Sequence, residues 1–227
     1  ECIDWSTGQI LGALRKLGLE RKTIVVYTSD NGPWLVKGEH GGSALPLRDG
    51  KGTTYEGGMR EPCVMWGPGR IPAGKTCSEM VLSMDLMPTF AGLAGAAPPA
   101  DIDGKDVWPL LSGRPGAKTP HQAFYYYSGS NLQAVRSGKW KLVLYAAPQG
   151  ATAADAPKPR DPELYDLEAD ISESRNIAAA HPDVVARLHD LAEKGRQYVG
   201  GTLGKPTGAP KAKAEKGKAG AKAGAGK

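Results

Sequence analysis

Residues 23–33 read Thr23-Ile24-Val25-Val26-Tyr27-Thr28-Ser29-Asp30-Asn31-Gly32-Pro33. Five of the first six are β-branched and the other, Tyr27, is aromatic, the side chains that suit a pleated strand. Ser29 to Pro33 then replaces apolar surface with oxygen-bearing side chains and a turn. An apolar strand ending abruptly in such a turn is how open α/β sheets present ligands.

Working outward, residues 4–18 place Ile10, Leu14 and Leu17 on one stripe, widened by Leu11 and Ala13, which is helical periodicity. Gly18 stands where a C-terminal cap belongs, and Arg15 and Lys16 suit the negative end of the helix dipole. Helix, turn and strand predict an αβ unit of a mixed or parallel sheet. Downstream, a glycine-rich loop runs to Glu56 and holds Lys51 between Gly50 and Gly52. A second strand is expected at 60–66, and a helix capped by Ser83 at 84–94 with Leu86, Phe90 and Leu93 on one face. Residues 101–120 read as a connector. From His121 the pattern turns to antiparallel β, with strands at 123–127, 132–136, 139–145 and 163–167 and a helix from Pro182 to about residue 198.

The chain of 227 residues carries a net charge of +5. From Lys205 onward, seven lysines and one glutamate contribute +6, which leaves −1 on residues 1–204. A near-neutral body with a basic end is not a nucleic-acid-binding domain, and polyanion contact would be confined weakly to that end. Residues 201–227 lack apolar periodicity and are expected to be disordered. No apolar run approaches the length of a membrane span. The three cysteines, Cys2, Cys63 and Cys77, have no metal-ligand spacing; a Cys63–Cys77 bridge and buried free thiols are both open. The sequence starts at Glu1 without an initiator methionine and reads as a fragment.

The candidate chemistry lies in the loop. Asp30 and Asn31 are either Asx turn formers or two hard oxygen donors for Ca²⁺, with Mg²⁺ as the alternative. Lys51 is either a solvated lysine or, with glycines letting its backbone approach, the contact of a sulfate or phosphate oxygen. His40 is a candidate substrate-facing residue. Glu56 and Arg60 are expected to pair and fix the loop to the second strand.

Six segments taken together carry a resemblance: T-S-D-N-G-P at 28–33, P-L-R-D-G-K-G-T-T-Y-E-G-G-M-R-E-P at 46–62, S-M-D-L-M-P-T-F-A-G-L-A-G at 83–95, D-G-K-D-V-W-P-L-L-S-G at 103–113, A-V-R-S-G-K-W-K-L at 134–142 and E-L-Y-D-L-E-A-D at 163–170. In this order they resemble the C-terminal part of the type I sulfatases, the arylsulfatase A-like group. The resemblance implies an α/β fold with a partial alkaline-phosphatase-like sheet over residues 1–120 and a small antiparallel subdomain with a helix over 121–200. It implies hydrolysis of sulfate esters, small molecules or sulfated glycans, in a secreted, periplasmic or lysosomal compartment. It assigns Asp30 and Asn31 to a divalent cation, usually Ca²⁺, and Lys51 to the sulfate.

The family's nucleophile is a formylglycine made from the first residue of a Cys/Ser-x-Pro-Ser-Arg motif, and no such motif occurs in these 227 residues. The nucleophile, the paired aspartates that complete the cation site and further sulfate contacts are therefore expected upstream, and this chain alone is expected to be inactive. A phosphatase or phosphonate-ester hydrolase of the same superfold, and a non-catalytic fragment binding polyanions through its basic end, are the competing readings.

Overall fold

A computed structural model describes residues 1–145 and 161–200 and the backbone of 202–203. The chain opens with helix α1 (Cys2–Lys16), closed by Gly18 at φ 66°. Its apolar stripe is real but uncovered: Leu11 and Leu14 are half-buried, whereas Ile3, Trp5, Ile10 and Leu17 are exposed. The guanidinium of Arg15 lies 5.6 Å from the Trp66 ring centre and ties the helix to the sheet behind it.

Strand β1 (Val25–Thr28) pairs with β2 (Cys63–Trp66), from Val25 opposite Trp66 to Thr28 opposite Cys63. The pairing is antiparallel, so of the mixed or parallel sheet anticipated for this αβ unit the ribbon has the direction that only a mixed sheet allows. The ribbon is also half-open, with Tyr27 and Val64 exposed. Between the strands run a 3₁₀ segment (Leu35–His40) and the one-turn helix α2 (Glu56–Met59).

Helix α3 (Leu86–Leu93) follows a 3₁₀ turn (Ser83–Asp85). Ser83 does not cap it. Asp85 does the equivalent work: one carboxylate oxygen accepts Leu82 N–H at 2.8 Å, and the other accepts Lys105 N–H at 2.9 Å and contacts His121 Nε2 at 2.8 Å. A short helix α4 (Trp108–Leu111) interrupts the expected connector.

The second sheet holds β3 (Phe124–Ser128), β4 (Asn131–Ser137), β5 (Trp140–Val143) and β6 (Glu163–Asp166) in that antiparallel order. Helix α5 (Pro182–Val199) covers one face with Leu188, Leu191 and Ala192 against Leu132, Val135, Leu142 and Leu164. On the other face, Tyr126, Ala134, Val143 and Tyr165 close over Tyr55, which comes from the glycine-rich loop. Both faces are thus buried. Tyr126 opposes Ala134 while Tyr127 opposes Leu132, so Gln133 is an extra residue, a β-bulge. The bulge lets Leu132 and Val135, three residues apart, share the α5 face.

A final strand β7 (Thr202–Leu203) pairs in parallel with β4, so ordered pairing reaches past residue 201, where disorder was expected to begin. The rest of that basic segment lies outside the described residues. All three cysteines are free and exposed, so neither a Cys63–Cys77 bridge nor buried thiols are found. Among the described residues no helix is long and apolar enough to cross a membrane.

Candidate functional site

The end of β1 is stitched to the glycine-rich loop through its backbone. Ser29 Oγ donates to Asn31 O at 3.0 Å and shapes the turn. Gly32 N–H donates to Gly58 O at 3.3 Å, and Lys51 N–H donates to Pro33 O at 2.9 Å. The approach is close enough to demand glycine: a Cβ on Gly32 would stand 1.8 Å from Gly57 O, and one on Gly50 would stand 2.4 Å from Pro33 O. These backbone contacts set Lys51 beside the turn that carries Asp30 and Asn31, as one wall. Asp30 and Lys51 are exposed, and Asn31 is half-buried.

The antiparallel ribbon adds a carboxylate that no local pattern marks. Thr28 pairs with Cys63, and carrying that register two residues beyond the strands sets Glu61 opposite Asp30. Burial, with the charge of Asp30 added and a contact with Ser29 opposing, holds the Glu61 carboxyl above its ordinary range. Its Oε1 is buried without a hydrogen-bond partner among the described residues. Two carboxylates this close disfavour each other's charge and make the corner electronegative. Beside it opens a cleft of about 370 Å³ walled by Pro33, Leu45, Leu47, Arg60, Glu61 and Ile171.

His40 ends the 3₁₀ segment, exposed, and no hydrogen bond or ion pair reaches its side chain among the described residues. Trp34, which local pattern did not single out, stands next to Pro33 with its ring centre 5.6 Å from Lys51 Nζ.

Behind the wall, the expected Glu56–Arg60 pair does not form; only Arg60 N–H reaches Glu56 O, at 2.7 Å. The Glu56 side chain turns inward instead. Its Oε1 accepts hydrogen bonds from Lys141 Nζ at 3.0 Å and Tyr126 OH at 2.9 Å, and Arg136 reaches Oε2 at 3.3 Å. Burial alone would raise the Glu56 pKa, but Lys141 and Arg136 prevail and hold it below the ordinary value. Glu173 Oε2 accepts Glu56 N–H at 2.6 Å, and its Oε1 lies 2.8 Å from Lys141 Nζ, off the hydrogen-bonding direction. Burial keeps Glu173 above its ordinary range, with Lys141 only partly offsetting it. Two more ties cross to the second sheet. Thr54 Oγ1 donates to the bulge residue Gln133 Oε1 at 2.9 Å, and Arg48 donates to Tyr165 OH and Glu173 O, both at 3.0 Å.

Residues 1–96 match the family described as Sulfatase, and residues 119–203 match the one described as C-terminal region of aryl-sulfatase. The chain belongs to the sulfatase family. Human arylsulfatase A is 38% identical over 211 residues, which cover 83% of this chain and 41% of that protein. Canine N-acetylgalactosamine-6-sulfatase is 46% identical over 142 residues, 61% of this chain and 27% of that protein. The crystal structure of the sulfatase PsFucS1 from Pseudoalteromonas sp. superposes with a TM-score of 0.71 at 25% identity, covering 86% of this chain and 42% of that one. The chain thus spans about two fifths or less of the length of these sulfatases, and over that span it has their α/β fold.

Proposed function

We propose that this chain forms the cation-facing and sulfate-gripping wall of a sulfate-ester hydrolase. The observation that carries the reading is the 2.9 Å bond from Lys51 N–H to Pro33 O, which locks the lysine beside the Asp30-Asn31 turn. Membership of the sulfatase family supports it.

Asp30 and Asn31 offer the hard oxygens that Ca²⁺ prefers, and the crowding of Asp30 and Glu61 suits a positive charge there. No three His, Cys, Asp or Glu side chains gather into a metal cage among the described residues. The pair is therefore a partial donor set for an ion that takes roughly 6–8 oxygens. Bound there, the cation would polarise the sulfuryl group as a Lewis acid. Lys51 holds the ester's sulfate by a charge-assisted hydrogen bond and offsets negative charge on its oxygens as the S–O bond breaks. The substrate class is a sulfate ester on a sugar or small alcohol, in line with the amino-sugar sulfate named by the canine relative.

The test is sulfate release from an aryl sulfate. The 227-residue chain alone is expected to give none. The same chain joined to a segment bearing the Cys-x-Pro-Ser-Arg motif, matured to formylglycine, is expected to turn over. Turnover by the chain alone would overturn the assignment of the nucleophile to other residues, and failure of the joined, matured polypeptide would overturn the hydrolase reading.

A further inference from the structure

Trp34 stands on the wall with 50% of its surface exposed. Exposure alone does not set it apart, since Trp5 is more exposed still; its neighbours do. Two cations attend it. Lys37 Nζ lies 4.6 Å and Lys51 Nζ 5.6 Å from the ring centre, both within cation–π range.

The backbone fixes this arrangement. Lys37 N–H donates to Trp34 O at 2.9 Å, and Lys51 N–H donates to the carbonyl of the preceding Pro33, also at 2.9 Å. Gly41 closes over the same Trp34 carbonyl so tightly that a Cβ there would stand 2.3 Å from the oxygen. The two lysines therefore hang from adjacent carbonyls and share one aromatic spacer. Lys51 alone suffices for a single sulfate. A second cation beside the same indole adds nothing to that contact, but it does suit a second anionic group on the same small molecule. A sugar ring meets the remaining requirement, because its C–H surface packs on an indole while its polar substituents reach outward.

We propose that Trp34 and Lys37 form a second anion subsite that makes the preferred ligand a sugar sulfate bearing another negative group. Lys51 holds the scissile sulfate and Lys37 the second sulfate or carboxylate, with Trp34 packed along the sugar between them. This rests on the sulfate-ester reading of Lys51, and the experiment keeps the two apart.

Equilibrium binding of a monosaccharide disulfate and of the matching monosulfate to the full chain is measured by calorimetry at fixed ionic strength. The disulfate is expected to bind about fivefold more tightly, the worth of one exposed ion pair. Lys37→Ala removes that advantage and leaves the monosulfate affinity within about twofold, whereas Trp34→Ala weakens both ligands and Trp34→Phe restores most of the loss. Lys194→Ala, which removes an exposed lysine from α5, changes neither. Equal affinity for the two ligands, or an equal loss on both from Lys37→Ala, overturns the subsite, as does a Lys194→Ala effect matching that of Lys37→Ala. Turnover by the joined, matured polypeptide is read separately. Disulfate preference without hydrolysis of either ester leaves the subsite standing and removes the hydrolase reading. Hydrolysis of both esters with equal kcat/KM, unchanged in ratio by Lys37→Ala, does the reverse.

Discussion

Glu56 Oε1 and Lys141 Nζ meet at 3.0 Å with both side chains sealed from solvent, the carboxylate from the loop that carries Lys51 and the ammonium from β5 of the second sheet. Burying two charges is costly, and their attraction compensates only where geometry and further hydrogen bonds are good. Here Tyr126, Arg136 and Glu173 supply them. The cluster holds Glu56 and Glu173 against Lys141 and Arg136, so it is close to neutral as a unit. Glu173 also sits in the left-handed region at φ 50°, a conformation a glutamate adopts only where its surroundings compel it. The second sheet is thus the support that holds the site loop in place.

Lys141→Met tests that support. It leaves two buried carboxylates facing each other without their shared cation, and the expected loss is about 3–5 kcal/mol of folding stability in denaturant titration. Lys141→Met combined with Glu173→Gln removes one of the stranded charges and recovers part of that loss. A single replacement costing under about 1 kcal/mol would show the cluster to be solvated rather than buried.

The same two glutamates give opposite pH dependences. Glu56 titrates in the folded state below its ordinary 4.5, so its stabilisation is complete above that value and disappears as pH falls through the lower one. Glu173 titrates above 4.5, so the folded state holds its proton more tightly, and stability declines as pH rises from 4.5 through the folded value. Denaturation midpoints against pH are therefore expected to form a dome. Glu173→Gln flattens the limb on the neutral side, leaving the part due to Glu61, and Glu56→Gln flattens the acid limb, leaving the parts due to Glu79, Asp166, Asp170 and Glu193. A wild-type profile unchanged by Glu173→Gln would contradict the assignment.

Gly32→Ala tests the stitching of the wall. The added methyl group would stand 1.8 Å from Gly57 O, a backbone atom held in turn by Gly57 N–H donating to Arg48 O at 2.8 Å. Nothing flexible can give way, so the turn must separate from α2, at an expected cost of about 1–3 kcal/mol, as for overpacking elsewhere. Hydrogen exchange localises the effect: the Lys51 amide, bonded to Pro33 O, loses protection while the amides of β4 and β5 keep theirs. Loss of protection throughout the molecule would instead mean that the turn is part of the global folding unit.

How far these features are legible in sequence depends on the range over which they are set. The strand-to-turn change at Thr28-Ser29, the glycine cap of α1 and the Val184, Leu188 and Leu191 stripe of α5 are local patterns, and the elements form where they indicate. The stripe on α1 shows the limit of such patterns: periodicity marks a face but does not say what lies against it, and Ile10 and Leu17 lie open. The antiparallel partner of β1 arrives more than thirty residues later, after a loop without regular period, so neither the strand direction nor the meeting of Asp30 with Glu61 has a local signal. The Glu56–Arg60 pairing was natural at helical spacing. It fails because α2 ends at Met59 and leaves Arg60 in extended backbone, while Glu56 is drawn to cations on β4 and β5. The backbone bond from Lys51 to Pro33 joins two stretches nearly twenty residues apart and has no local signal, while His40 stands exposed at the end of the 3₁₀ segment that Gly38 kinks at φ 57°.

Lys51 itself separates charge from geometry in the proposed reaction. Its ammonium is a compact point charge on a flexible stem, and its backbone is fixed to Pro33, so the root of the side chain is held while its tip adjusts to the sulfate. In the joined, matured polypeptide, Lys51→Ala is expected to lower kcat/KM for an aryl sulfate about 10²–10³-fold, the scale of losing one charge-stabilising donor. Both kcat and KM should worsen, since the sulfate is gripped before and during S–O cleavage. Lys51→Arg keeps the positive charge but spreads it over a longer planar group, which should restore KM more than kcat. Full recovery of kcat by arginine would mean that only long-range charge is needed. An alanine variant with unchanged kinetics would place the sulfate somewhere other than this wall.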